Sequence, residues 1–99
     1  MRIVELAKKH DLYIVADEVY REFIYDGNDY KSFGEVQGIE DNLILLDSIS
    51  KRFGACGARI GSIASKNPEI KDAINRLCNC RLAAPTLEQK AAAKLYGID

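Results

Sequence analysis

Six residues of this 99-residue chain carry types and spacings that could do chemistry. Asp17 is the first polar residue after the apolar run LYIVA, and Tyr20 follows three positions later. A second apolar run, NLILLD, gives way to SISK, which supplies Ser48, Ser50 and Lys51. Arg59 comes eight residues after the lysine, among Gly54, Gly57 and Gly61. Taken singly, each has an ordinary use. Asp17 could cap a helix starting at Glu18, Tyr20 could pack, and the serines could make turns. Lys51 and Arg59 could be surface charges, and the glycines mark tight turns or close backbone approach.

Taken together they suit one ligand. In an open α/β sheet, ligands gather at the carboxyl ends of strands, and both apolar runs end in these groups. An amine beside a guanidinium, shielded from water, is biased toward its neutral form, and a neutral amine attacks carbonyls. A guanidinium with a hydroxyl holds a phosphate through charge-assisted hydrogen bonds. A carboxylate could keep a pyridine nitrogen protonated, and a phenol could bond a ring hydroxyl. Pyridoxal phosphate has these needs. A nucleotide site at GACGARIG is disfavoured, because the stretch lacks both the strand-to-helix GxGxxG form and the Walker lysine spacing.

The elements that must position these groups can be read from periodicity. Residues 2–10 have apolar positions at helical spacing and lysines near the end. Residues 12–17 and 42–47 read as strands buried on both faces, as in a parallel sheet. VYREFIYDG is open between a helical turn and a strand, ended by Asp26-Gly27, and residues 28–41 are mostly connection, with room for one helical turn. Residues 59–65 are a third strand. Only residues 48–58, with no helical pattern, separate strands two and three; a parallel crossover needs about 12 residues or more, so the third strand is expected antiparallel. Asn67-Pro68-Glu69 starts a helix expected to reach about Leu82. After Pro85, Thr86 to Gln89 fit a capping box, and Gly97 could end that last helix.

Bulk properties narrow the function. The net charge is −1 with acids and bases interspersed, which leaves no basic footprint for nucleic acid. No apolar run approaches ~18 residues, so no membrane span is expected, and MRIVELAKKHDLY is not a secretory signal. Of the three cysteines, Cys78 and Cys80 form a C-x-C pair. Zinc needs about four ligands and the single histidine, His10, is remote in sequence. No metal site is expected, and the cysteines read as buried free thiols of a reducing compartment, the cytoplasm.

VADEVYREFIYDG and SISKRFGACGARIG resemble two signature segments of the class I/II aminotransferases, pyridoxal-phosphate enzymes of fold type I. The set Asp-x-x-Tyr, Ser-x-Ser-Lys, then seven residues and Arg-x-Gly carries the resemblance. It implies that Lys51 forms the Schiff base with the cofactor and shuttles the proton. It implies that Asp17 partners the pyridine nitrogen, Tyr20 the ring hydroxyl oxygen, and Ser48 and Arg59 the phosphate; Ser50 matches a serine of the motif with a less defined role. The implied fold is α/β, a fragment of a three-layer α/β/α large domain whose mainly parallel sheet has one antiparallel strand. Residues 1–99 then form a single partial domain, the central-to-C-terminal part of that large domain, with the small domain absent. The implied parent is a cytoplasmic homodimer acting on an amino acid and a 2-oxo acid. The resemblance also implies that these residues alone lack full transaminase activity. Alternatives are a decarboxylase, lyase or synthase of the same fold type, or a non-catalytic folded fragment that self-associates through unpaired strand edges.

Overall fold

The computed structural model describes residues 2–95. Helix α1 (Arg2–His10) buries Val4 and Ala7 on one side. It ends in a Schellman arrangement: Asp11 takes the left-handed conformation at φ 50, and the Leu12 amide donates to Ala7 O at 2.9 Å. That pattern satisfies orphan carbonyls of the last turn and turns the chain directly into β1 (Ile14–Asp17).

β1 runs parallel to β2 (Leu43–Ser48), in a register that sets Ile14 opposite Leu43 and Asp17 opposite Leu46. The crossover between them carries no α-helix. Residues 18–27 form successive tight turns rather than the helix or strand that VYREFIYDG left open. Two 3-10 turns follow where one helical turn is expected, Phe33–Glu35 and Glu40–Asn42. The first has a complete capping box between Ser32 and Glu35. β3 (Gly61–Ala64) pairs antiparallel with β2, with Ser48 opposite Gly61. The short link does therefore reverse the strand, giving a mixed three-stranded sheet in the order β1-β2-β3. Gly61 is needed for this approach: a Cβ there would lie 3.0 Å from the Asp47 carbonyl oxygen.

Three local expectations are corrected. The link between β2 and β3 is not free of helix: α2 (Ile49–Arg52) fills its start and a 3-10 turn (Cys56–Ala58) its middle. A four-residue helix is too short to show a period, and its one signal is the Ser48 cap. Helix α3 (Pro68–Asn79) stops before Leu82. Cys80, Arg81 and Leu82 donate to carbonyls three residues back, and Leu82 reaches φ 67, which a continuing helix forbids. Helix α4 (Thr86–Leu95) includes Thr86 as its first residue, because the Gln89 amide bonds Pro85 O rather than a Thr86 cap. Gly97, the expected stop, lies outside the described residues.

The start of α3 is as read: the Asn67 side chain accepts from the Glu69 and Ile70 amides, and Pro68 occupies the first position. Asn67 also donates to Asp41 O at 2.8 Å, fixing the helix to the turn before β2. The core lies on one face of the sheet, where Val4, Ala16, Ile39 and Leu43 pack with Ile14, Phe33, Val36 and Leu45. The strands are not buried on both faces; Val15 is 59% exposed and Ile63 50%. The cysteines are exposed as well, against the expectation of buried thiols. No described helix is long and apolar enough to cross a membrane.

Candidate functional site

Because β1 and β2 are parallel, their carboxyl ends lie on one edge of the sheet. Asp17 is the last residue of β1, and Ser48 the last of β2. The topology thus brings the two motifs to the same edge. Asp17 is exposed and commits one oxygen, Oδ1, to the Val19 amide at 3.2 Å. This is the local bond that Asp residues use to start turns, and turns rather than a helix follow it. The turn carries Tyr20 across toward β2.

Lys51 sits in α2, one turn past the end of β2. Its Nζ lies 5.7 Å from the centroid of the Tyr20 ring, within the range of a cation–π contact. Tyr20 is 58% exposed and leans edge-on against Phe23, with ring centroids 5.6 Å apart. The amine and the phenol named from sequence are neighbours on an open surface. An apolar cavity of about 180 Å³ lined by Val36, Leu43, Leu45 and Ala64 has none of the six residues in its lining.

Ser48 is engaged within the fold. Its hydroxyl lies 2.9 Å from both Ile60 O and Ser50 Oγ, and it accepts the Ser50 amide at 3.1 Å as the N-cap of α2. A hydroxyl has one donor and two acceptor positions, so a phosphate at Ser48 would exchange with one of these bonds. Ser50 supports the same cap. Arg59 is exposed, in the left-handed conformation at φ 55, and lies just beyond the β2–β3 ladder, where the Ile49 amide meets Ile60 O. Its Nη1 donates to Cys56 O at 3.1 Å. The structure therefore groups Lys51 with Tyr20, keeps Asp17 on the same sheet edge, and turns Arg59 back onto its own loop.

Two sets of residues that the sequence did not single out hold this edge together. Glu18, only 6% exposed, accepts the Ser32 hydroxyl at 2.9 and 2.8 Å and the Phe33 amide at 2.9 Å. Its own amide donates to Leu46 O at 2.9 Å. Burial, the Glu18 hydrogen bond and the Glu18 charge together push the Tyr30 phenol up to about 12. Glu18 thus pins the crossover loop directly beside Asp17. A signal existed in principle: an acid directly after an apolar strand, with a hydroxyl-rich loop to receive it.

The second set is a chain of charges. Arg21 Nη2 is 2.9 Å from Asp47 Oδ2, and Arg21 Nε is 3.2 Å from Glu22 Oε1. The same Glu22 oxygen is 3.0 Å from Arg52 Nη1. Partial burial would lower the Arg21 guanidinium, but the Glu22 hydrogen bond and the charges of Asp47, Glu22 and Glu18 outweigh it and raise the value. Nothing in the spacing of these four residues announced their meeting, since it depends on the turns at 18–27.

Comparison with known proteins places this geometry in context. The family model described as aminotransferase class I and II matches residues 1–97. The chain is similar to (5-formylfuran-3-yl)methyl phosphate transaminase of Methanocaldococcus jannaschii, 37% identical over 95 residues, covering 95% of this chain and 25% of that protein. It is similar to aspartate aminotransferase of Pyrococcus abyssi, 33% identical over 92 residues, covering 93% of this chain and 24% of that one. The crystal structure of an aromatic aminotransferase from Pyrococcus horikoshii OT3 superimposes with a TM-score of 0.87 at 30% identity, over 99% of this chain and 26% of that chain. The chain spans about a quarter of the length of the relatives it matches.

Proposed function

The chain belongs to the class I and II aminotransferase family, and we propose that it is the segment of such an enzyme that anchors pyridoxal phosphate through Lys51. The observation that carries this reading is the Lys51 amine held 5.7 Å from the Tyr20 ring, with Asp17 ending the neighbouring parallel strand. The donor set fits the group. An amine can take up an aldehyde, a carboxylate can pair a protonated ring nitrogen, a phenol can bond a ring oxygen, and a guanidinium can hold a phosphate.

Bound at this edge, pyridoxal phosphate supplies an aldehyde carbon and an electron-withdrawing ring. The chain's own residues would contribute the following. Lys51 Nζ would be the attachment point and, when free, the base that carries a proton at its amine. Tyr20 holds its ring beside that amine, and its hydroxyl would bond a ring oxygen of the cofactor. Asp17 keeps a carboxylate oxygen beyond its Val19 bond for a ring N–H. Arg59, now bonded to Cys56 O, and Ser48, now bonded to Ile60 O, would hold the phosphate. The reaction proposed for the parent is transfer of an amino group between an amino acid and a 2-oxo acid. In this reading residues 1–99 are part of a cofactor-binding large domain, and the parent is a cytoplasmic homodimer.

The test compares the chain with its Lys51→Ala variant during titration with pyridoxal phosphate, read by visible absorbance. The reading expects the variant to lose most of the absorbance change. An unchanged titration would contradict it.

A further inference from the structure

We propose that the charge chain Asp47–Arg21–Glu22–Arg52 is a positioning device that sets Tyr20 against Lys51. The inference rests on the proposed role of Lys51 as the attachment point, and adds four residues that act through it. Three of the four adjoin a residue of the proposed site: Arg21 follows Tyr20, Asp47 precedes Ser48, and Arg52 follows Lys51. Their side chains close a path from the end of β2 through the 18–27 turns to the end of α2, with separations of 2.9, 3.2 and 3.0 Å. The charges alternate, so every contact is attractive and the path is neutral as a whole.

Isolated pairs this close to solvent are weak, whereas a network with shared atoms is the exception. Here the sharing is explicit. Glu22 Oε1 meets both guanidinium groups. Asp47 divides its carboxylate between Arg21 through Oδ2 and the Ser48 amide through Oδ1, the latter at 2.7 Å. The side chains are 23–41% exposed, so the bridges are partly shielded. Tyr20 itself is exposed, and its contacts with Phe23 and Lys51 involve ring faces and edges that cannot fix a loop alone. The charge chain ties the turn bearing the phenol to the helix bearing the amine through side-chain ion pairs, beside the Glu18 hydrogen bond that holds the start of that turn to β2.

The test uses the full chain and two readouts. The first is the nuclear Overhauser contact between the Tyr20 ring and the Lys51 ε-methylene, without cofactor. The second is the share of label on Lys51 after pyridoxal phosphate treatment, borohydride reduction and peptide mapping. Glu22→Gln removes the shared charge; Arg52→Gln removes the outer link together with the Arg52 contact on the Phe53 ring, 5.0 Å from its centroid, and serves if the first variant fails to fold. Asp72→Asn, which breaks the remote Arg76 pair, is the control. Both site variants should weaken the Overhauser contact and lower the Lys51 share by about threefold, the size expected of a partly exposed network, with the control unchanged. Unaltered contact and label share in the folded variants would overturn the positioning role and leave Lys51 as the attachment point. If the parent chain shows the contact but no preference for Lys51, the attachment reading itself fails, and the positioning role falls with it.

Discussion

The strongest structural prediction concerns Glu18. Replacing it with alanine removes the acceptor for the Ser32 hydroxyl and the Phe33 amide, and for the Tyr30 phenol. Hydrogen bonds to a charged group contribute about 1.5–3 kcal/mol each. The loop is only part-buried and water can reach some of the freed donors. The expected cost is therefore about 2–4 kcal/mol, a large share of the ~5–15 kcal/mol available to an ordinary domain. Urea unfolding followed by circular dichroism measures it. Glu18→Gln gives an independent readout. Tyr30 should ionise at about 12 in the parent chain, visible as the late component among five tyrosines in ultraviolet absorbance. In the variant the charge contribution disappears while burial, the largest cause, remains, so the midpoint should move only part of the way toward ~10. The sign for stability follows. A phenol raised on folding contributes stability that is complete below ~10 and lost as the pH rises toward about 12; Tyr30→Phe should flatten that decline. A loss under about 0.5 kcal/mol for Glu18→Ala, below the value of even one such bond, with Tyr30 still ionising near 12 in Glu18→Gln, would refute the latch.

Two further substitutions test how the elements are set. Asn67→Ala removes the acceptor for two amides of α3 and the tie to Asp41, and should cost about 1–2 kcal/mol in thermal or urea unfolding. Gly61→Ala forces a Cβ to 3.0 Å from a backbone oxygen, and should destabilise by about 1–3 kcal/mol with loss of β2–β3 amide protection in hydrogen exchange.

Much of this arrangement is legible in the sequence, for reasons that differ by element. The reversal of β3 follows from chain length alone, since residues 48–58 cannot span a parallel crossover of ordinary size. The start of α3 follows from local capping chemistry at Asn67. The common edge of Asp17 and Ser48 follows from two apolar runs that end in polar groups. What stays hidden depends on loops. Glu18 becomes an anchor only when residues 30–33 fold back over it, and Arg21 meets Asp47 only after the 18–27 turns close. Helix α2 is too short to have a period. Leu82 lies outside α3 because it takes a left-handed backbone, which leucine sequences seldom signal. The cysteines look like core residues by type, yet the faces that carry them are open here.

The central claim is that Lys51 takes the cofactor's aldehyde. The chain carries further lysines, among them Lys8, Lys9, Lys31, Lys66, Lys71, Lys90 and Lys94, which serve as internal competitors. Folded chain treated with pyridoxal phosphate, reduced with borohydride and digested should carry its pyridoxyl label mainly on the peptide containing Lys51. Label distributed over the other lysines, with Lys51 unmodified in a folded chain, would contradict the account.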